Sequence, residues 1–132
     1  METKRNRGFT LVEILIVVVI LGILAAIVIP QFSDAATEAN EANLVSNLQT
    51  LRSQIALYRI QHSDADPDCT SNATFEADMV PAYLQDCPTN PFTDTDTVRE
   101  GAGASSTYDT AWYFDTTSHI IYANDSAAHA AL

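Results

Sequence analysis

The sequence has few basic residues, and it lacks the patterns that mark common catalytic sites. Its 132 residues contain six Lys and Arg against 17 Asp and Glu, for a net charge of −11. This balance argues against unaided binding to nucleic acid or anionic lipid, because phosphate groups repel such a chain. There is no Gly-rich phosphate loop, no nucleophile elbow and no His–Cys pair at a plausible catalytic spacing. We therefore expect that the protein is not an enzyme.

The few bases are unevenly placed around a long apolar run. Three of them, Lys4, Arg5 and Arg7, come before the run. The run covers residues 9–29, and its polar side chains are Thr10 and one acid, Glu13. As a helix it would span roughly 31 Å at 1.5 Å per residue, close to the hydrocarbon thickness of a bilayer. The positive-inside rule then keeps the N-terminus cytoplasmic and exports the acidic remainder.

Two other interpretations of the apolar run are open. A buried core helix is one, but a small acidic domain cannot cover such a helix on all sides. A secretory signal peptide is the other, with Ala25-Ala26 as a cleavage region. The run is longer than a usual signal core, and no small-x-small site lies just past its end. Neither interpretation explains Glu13.

The segment "RGFTLVEILIVVVILGILAAIVIPQF" resembles the N-terminus of bacterial type IV pilins and of the pseudopilins of type II secretion. The resemblance is specific over residues 5–32, general over the helix that follows and weak beyond about residue 65. It implies that a prepilin peptidase cuts between Gly8 and Phe9 and that Phe9 becomes an N-methylated first residue. It also implies that Glu13 is the family's acid in the fifth mature position, and that Pro30 is its helix-kinking proline.

The resemblance gives Glu13 a role that physical chemistry supports. An acid inside a bilayer is costly, so it is normally paired and functional. Cleavage after Gly8 creates an ammonium group at Phe9, in or beside the apolar layer. Glu13 can meet that amine within one subunit or between neighbouring helices, where it would fix their stagger. The alternative is that Glu13 lies near the interface and extends to water.

The rest of the chain predicts a long helix followed by a small domain. One apolar face recurs at spacings of four and three residues: Leu44, Leu48, Leu51, Ile55 and Tyr58. Residues 63–107 are rich in turn-forming types, and a short helix or a turn at 75–84 would place Phe75, Met79 and Leu84 against the core. A hairpin follows, with strands at 112–114 and 120–123, and one more short strand precedes Ala111. We expect an α+β, pilin-like fold, in which the long helix packs on a small antiparallel C-terminal sheet.

Several side chains of the exported part are candidates for cross-links or ligands. Cys69 and Cys87 would meet an oxidising compartment, so we expect a disulfide between them, with free thiols or a metal site as alternatives. Asp94 and Asp96 can offer oxygen ligands to calcium, which the major pseudopilin of type II secretion binds in a C-terminal loop. The motif of that loop is not found here, so an ordinary acidic surface loop is favoured. The three histidines lack ligand spacing, and no cofactor is expected.

The predicted function is that of a structural subunit of a type IV pilus or a type II secretion pseudopilus. The chain would divide into a leader (1–8), a membrane and assembly half of the helix (9–30), an amphipathic half (31–62) and a small exported domain (63–132). The resemblance implies a homo-oligomeric filament, with a prepilin peptidase, an inner-membrane platform protein and an assembly ATPase as partners. The subunit would begin in the inner membrane and end in a periplasmic or extracellular filament. The alternative is a single-span anchor for a periplasmic binding domain that does not polymerise.

Overall fold

The computed structural model describes residues 8–103 and 105–132, so most of the predicted leader lies outside the described residues. Helix α1 covers Leu11–Gln61 and helix α2 covers Asn72–Met79. Three strands follow: β1 (Val98–Gly101), β2 (Trp112–Asp115) and β3 (Ile120–Ala123), with a 3₁₀ turn at His129–Ala131. The chain forms two compact units, the first ending at Glu38 and the second covering Ala39–Leu132.

The first unit consists of helix and has no core of its own. Every residue from 8 to 38 is exposed, including the apolar side chains of the run, such as Ile16, Leu21 and Ile27. The helix continues through Pro30 without interruption. The kink predicted at that residue stays a prediction.

The second unit is built around a buried face of α1, and that face is the predicted one. The buried residues of α1 are Leu44, Leu48, Leu51, Ile55 and Tyr58. They share one hydrophobic core with Phe75, Met79 and Leu84, as expected, and with the sheet residues Trp112 and Phe114. Full burial of one such side chain contributes about 1.5–3 kcal/mol. The core of this unit therefore depends on the second half of α1.

The sheet confirms the predicted hairpin and corrects the predicted topology. Strands β2 and β3 pair antiparallel, with Trp112 opposite Ala123. Strand β1 pairs with β2 in parallel, with Val98 opposite Trp112, so the sheet is mixed and the prediction of an antiparallel sheet was wrong. The reason is the irregular segment between Gly101 and Trp112. The chain crosses over through this segment to the start of the sheet, which a parallel pair requires and a two-residue hairpin turn does not provide.

Helix α2 begins with a capping box. Ser71 accepts a hydrogen bond from the Thr74 backbone nitrogen through its hydroxyl (3.3 Å), and Thr74 Oγ1 accepts one from the Ser71 backbone nitrogen (3.1 Å). These bonds satisfy donors that a helix start leaves unpaired. The cap orients α2 so that Phe75 and Met79, one turn apart, both lie in the core.

Candidate assembly site

The start of α1 is held by reciprocal hydrogen bonds between Thr10 and Glu13. The Glu13 Oε2 atom accepts hydrogen bonds from the Thr10 backbone nitrogen (2.7 Å) and from the Thr10 hydroxyl (2.8 Å). The Thr10 Oγ1 atom in turn accepts one from the Glu13 backbone nitrogen, at 3.2 Å. This is a capping box, in which each side chain satisfies a backbone donor of the first turn. The Glu13 carboxylate therefore has local partners before any second chain is present.

Gly8 and Phe9 precede the helix, and their junction is accessible. The helix begins at Leu11, and the Phe9 side chain is 84% exposed. Apart from the two chain neighbours of Gly8, no described residue comes within 4 Å of the position that a Cβ atom would take on Gly8. The structure thus places the predicted cleavage bond outside regular structure. Glu13 contacts Thr10, and its predicted pairing with the Phe9 amine stays a prediction, since the Phe9 nitrogen is an amide in the uncleaved chain.

Thr10 is the residue of this site that the sequence analysis missed. A signal was present, because "TLVE" at residues 10–13 has the T-x-x-E spacing of a capping box in front of an apolar run. The box explains how the acid is accommodated next to apolar residues. The Glu13 carboxylate accepts hydrogen bonds from the backbone N–H and the hydroxyl group of Thr10, the residue directly before the helix.

The apolar surface that follows is long enough to cross a membrane. Among the described residues there is one helix, α1, with the length and composition for this, and its most apolar window is wholly exposed. Exposed apolar surface of this extent marks a site that membrane or protein covers.

Cys69 and Cys87 do not form the predicted disulfide: both are free thiols, and both are buried. The Cys87 thiol donates a hydrogen bond to the backbone carbonyl of Asp96 at 3.3 Å. Burial, with a smaller contribution from the charge of Asp96, raises the pKa of Cys87 to about 12, and burial likewise raises the pKa of Cys69. The two sulfurs serve as core atoms, which compartment and cysteine count alone cannot reveal.

The weak calcium candidates are not supported either. Asp94 lies in a tight turn with a φ of 54°, and its backbone nitrogen donates to the Asn90 carbonyl at 2.9 Å. Within residues 8–103 and 105–132, no group of three or more His, Cys, Asp or Glu side chains is arranged to hold a metal ion. Asp94 lies in this turn and Asp96 lies just beyond it, and their role as calcium ligands stays a prediction.

Comparison with known proteins defines the class of this N-terminal segment. Residues 3–29 match the family model described as the prokaryotic N-terminal methylation motif. The chain is 42% identical over 60 residues to type II secretion system core protein G of Dickeya chrysanthemi, covering 46% of this chain and 39% of the relative. It is 46% identical over 57 residues to the type IV narrow pilus major component PilA5 of Thermus thermophilus, covering 43% and 49%.

A longer alignment joins the chain to type II secretion system core protein G of Escherichia coli, at 28% identity over 81% of this chain and 80% of the relative. No solved structure gives a significant match. The chain spans less than half of the length of the first two relatives. These matches confirm the resemblance to the family of type IV pilins and type II secretion pseudopilins.

Proposed function

We propose that the protein is a structural filament subunit of a type IV pilus or a type II secretion pseudopilus. It polymerises through the first half of α1 after cleavage between Gly8 and Phe9 and methylation of the Phe9 nitrogen. The observation that carries this proposal is the methylation motif at residues 3–29. From Leu11 onwards the motif is the exposed apolar start of α1, and Glu13 lies in the first turn of that helix.

The exposure of the first unit supports assembly through that helix. Between residues 8 and 38 the described side chains are uncovered, although covering a single Leu, Ile or Val contributes about 1.5–3 kcal/mol. A bilayer can cover them before assembly, and the helices of neighbouring copies can cover them afterwards. A domain that only needed an anchor would require the apolar run but neither the Gly8–Phe9 junction nor Glu13.

The Thr10–Glu13 box supports a specific order of events at the site. In the precursor the Glu13 carboxylate accepts from the Thr10 backbone and hydroxyl. Cleavage adds an ammonium group at Phe9, directly before Thr10, and gives the same carboxylate a charged partner. A carboxylate in an apolar membrane helix is costly unless it is paired. Pairing with the amine of its own or a neighbouring chain offsets that cost and fixes the stagger of the helices.

Charge supports the membrane orientation and the later location. The leader carries three bases, and residues beyond 30 carry three arginines among many acids. The N-terminus therefore stays cytoplasmic, the acidic domain is exported from the inner membrane, and the filament is periplasmic or extracellular. The partners are the prepilin peptidase, the platform protein and the assembly ATPase, and the protein itself has no catalytic role. The division into segments 1–8, 9–30, 31–62 and 63–132 is part of this proposal.

The test is the intact mass and N-terminal sequence of the full chain extracted from membranes of a host with a prepilin peptidase. We expect a chain that starts at Phe9 and carries the mass of one added methyl group. A Gly8→Leu variant is the matched control, and it should keep Met1 and accumulate as precursor. A start at Met1 in the unsubstituted chain would favour the anchor without polymerisation. A start beyond Ala26 would indicate a secreted domain, and either result would overturn the proposal.

A further inference from the structure

The three arginines beyond the leader have different ionic partners. Arg99 pairs with Asp109 through Nη1 at 3.1 Å. Arg59 pairs with Asp64 through Nη2 at 2.6 Å and with Asp66 through Nε at 3.3 Å. Within the described part of the chain, Arg52 has no Asp or Glu side chain at ion-pair distance. In a chain with a net charge of −11, a base without an acidic side-chain partner is unexpected.

Arg52 is held in place by backbone oxygens. Its Nε donates to the Ile121 carbonyl and its Nη1 donates to a backbone oxygen of Leu132, both at 3.1 Å. The guanidinium carbon lies 5.7 Å from the centre of the Tyr122 ring. The Nη2 group makes no hydrogen bond to any residue that the structure describes. The guanidinium is therefore fixed in orientation, and one of its edges remains available for a carboxylate.

Arg52 lines a groove in the second unit that has an apolar lining and basic side chains. The groove has a volume of about 440 Å³, and it is lined by Arg52, Ala56, Arg59, His119, Ile120, Ile121, Tyr122, Ala131 and Leu132. No Asp or Glu is among the lining residues. Asp66 pairs with both Arg59 and His119 just behind this lining, so Arg52 is the lining base that has no acidic side-chain partner among the described residues. The groove is therefore suited to a segment that brings one carboxylate to Arg52 together with small apolar side chains.

Such a segment lies earlier in α1. Residues 31–43 contain Asp34, Glu38 and Glu41 and no base, and most of the intervening side chains are small. All three acids are exposed. None of them has an ion pair or a side-chain hydrogen bond among the residues described. Glu38 and Arg52 are fourteen residues apart in one helix, where only residues three or four apart are neighbours, so one chain cannot bring them together.

We propose that the groove receives the acidic segment, residues 34–41, of a second copy of this chain, with Arg52 paired to one of its carboxylates. The inference rests on the proposed filament function and names a contact that sets the axial offset between copies. Strongly acidic copies repel each other, and placing a carboxylate of one copy against Arg52 of the next offsets part of that repulsion at the contact. Like charges at such a contact are unfavourable, which makes the pairing selective for one offset.

The first experiment reverses the charges in the full chain, expressed with a prepilin peptidase and a pilus or pseudopilus assembly system. The Glu38→Lys, Glu41→Lys double variant should lower the yield of sedimentable filament by at least about tenfold, because it places like charges at the contact. These acids have no side-chain partners of their own, so misfolding does not explain a loss. Adding Arg52→Glu to the double variant should restore at least about half of the yield.

The matched controls are charge reversals away from the contact. Arg99→Glu removes a base that already has an acidic partner, and Asp86→Lys reverses an exposed acid outside α1. Both should assemble with unchanged yield. If the Glu38→Lys, Glu41→Lys variant assembles like the unsubstituted chain, the inference is overturned while the proposed function stands. If Arg52→Glu gives no rescue in a chain that is folded and present at normal level, the assigned pairing is also overturned.

The second experiment uses cysteine cross-linking and does not depend on filament yield. Ala56→Cys lies in the groove and Glu38→Cys in the acidic segment, and the native thiols are buried. A copy with Ala56→Cys should cross-link to a copy with Glu38→Cys, and an exposed Ala102→Cys control should not. If the unsubstituted chain forms no filament, the proposed function fails, and the cross-link in membranes then decides whether the copies dock. Absence of the cross-link in both filaments and membranes would overturn the inference.

Discussion

The two halves of α1 are both rich in apolar residues, but they use them differently. In the first half the apolar residues are nearly continuous and all are exposed. In the second half they recur every three or four residues, and only that one face is buried. The difference shows that the hydrophobicity of the first half contributes nothing to the core of the second unit. We attribute it to contacts with membrane and with other copies, whereas the stability of the folded domain depends on the second half.

The strongest way to test this difference is to make the same substitution in each half. Leu48→Ala should lower the free energy of unfolding of the second unit by about 2–5 kcal/mol, because Leu48 is buried and its loss leaves a cavity. Leu21→Ala, in the exposed half, should change it by less than about 0.5 kcal/mol. Denaturant unfolding of the full chain in detergent measures both values, with Trp112 as the reporter because it is the single tryptophan and is fully buried. Equal effects of the two substitutions would contradict the division of roles.

A substitution of Glu13 should affect filament assembly rather than the free energy of unfolding of the second unit. Glu13→Gln keeps an oxygen acceptor for Thr10 but removes the charge that we pair with the Phe9 ammonium. We expect filament yield to fall by at least about tenfold, because breaking a buried ion pair leaves an uncompensated charge. The unfolding of the second unit should not change. Glu100→Gln in β1 is the control and should assemble normally; a full filament yield from Glu13→Gln would refute the role of the charge.

The sequence predicted some features of the fold because they depend on local spacing. The buried face that begins at Leu44, the short helix around Phe75 and the hairpin of β2 and β3 were all predicted from periodicity and turn residues, and all are confirmed. The Thr10–Glu13 box is also local, and "TLVE" contained the signal for it. Such features are readable because the residues that form them are neighbours in the chain.

Features that depend on distant residues could not be predicted in the same way. The parallel pairing of β1 joins Val98 to Trp112 across an irregular segment, and no residue pattern in that segment specifies its path. The free state of Cys69 and Cys87 depends on how each sulfur is packed. The groove at Arg52 likewise depends on where β3 and the last residues meet α1. Each is decided by tertiary packing.

A smaller, pH-dependent effect is expected in the second unit alone. Asp115 accepts hydrogen bonds from the Thr117 backbone nitrogen, the Ser118 hydroxyl and the Gly103 backbone nitrogen. These bonds, that of Thr117 first, lower the pKa of Asp115 from 3.8 to about 2. A lowered folded-state pKa stabilises the fold above the unfolded-state pKa, and this contribution is lost as the pH falls through the folded-state value.

Unfolding experiments with Asp115→Asn test this effect. The variant should be less stable than the unsubstituted chain at pH 6, and the difference should shrink as the pH falls from about 4 to about 2. Asp94→Asn is the control: Asp94 is exposed in the turn, and the substitution should change the stability only slightly at pH 6. A difference for Asp115→Asn that stays constant down to pH 2 would contradict the assigned hydrogen bonds.

The smallest effect on stability is expected from a reducing agent. The reactivity of cysteines distinguishes the buried core of the second unit from its exposed surface. Because Cys69 and Cys87 are free and buried, adding a reductant should leave the unfolding midpoint unchanged, and the intact mass should correspond to two thiols. Burial also raises the pKa of both thiols, so an alkylating reagent at pH 8 should modify them only after unfolding. An exposed Ala102→Cys should react at once in the folded chain. A midpoint that falls on reduction would mean that a cross-link contributes to the stability that we assign to packing around the second half of α1.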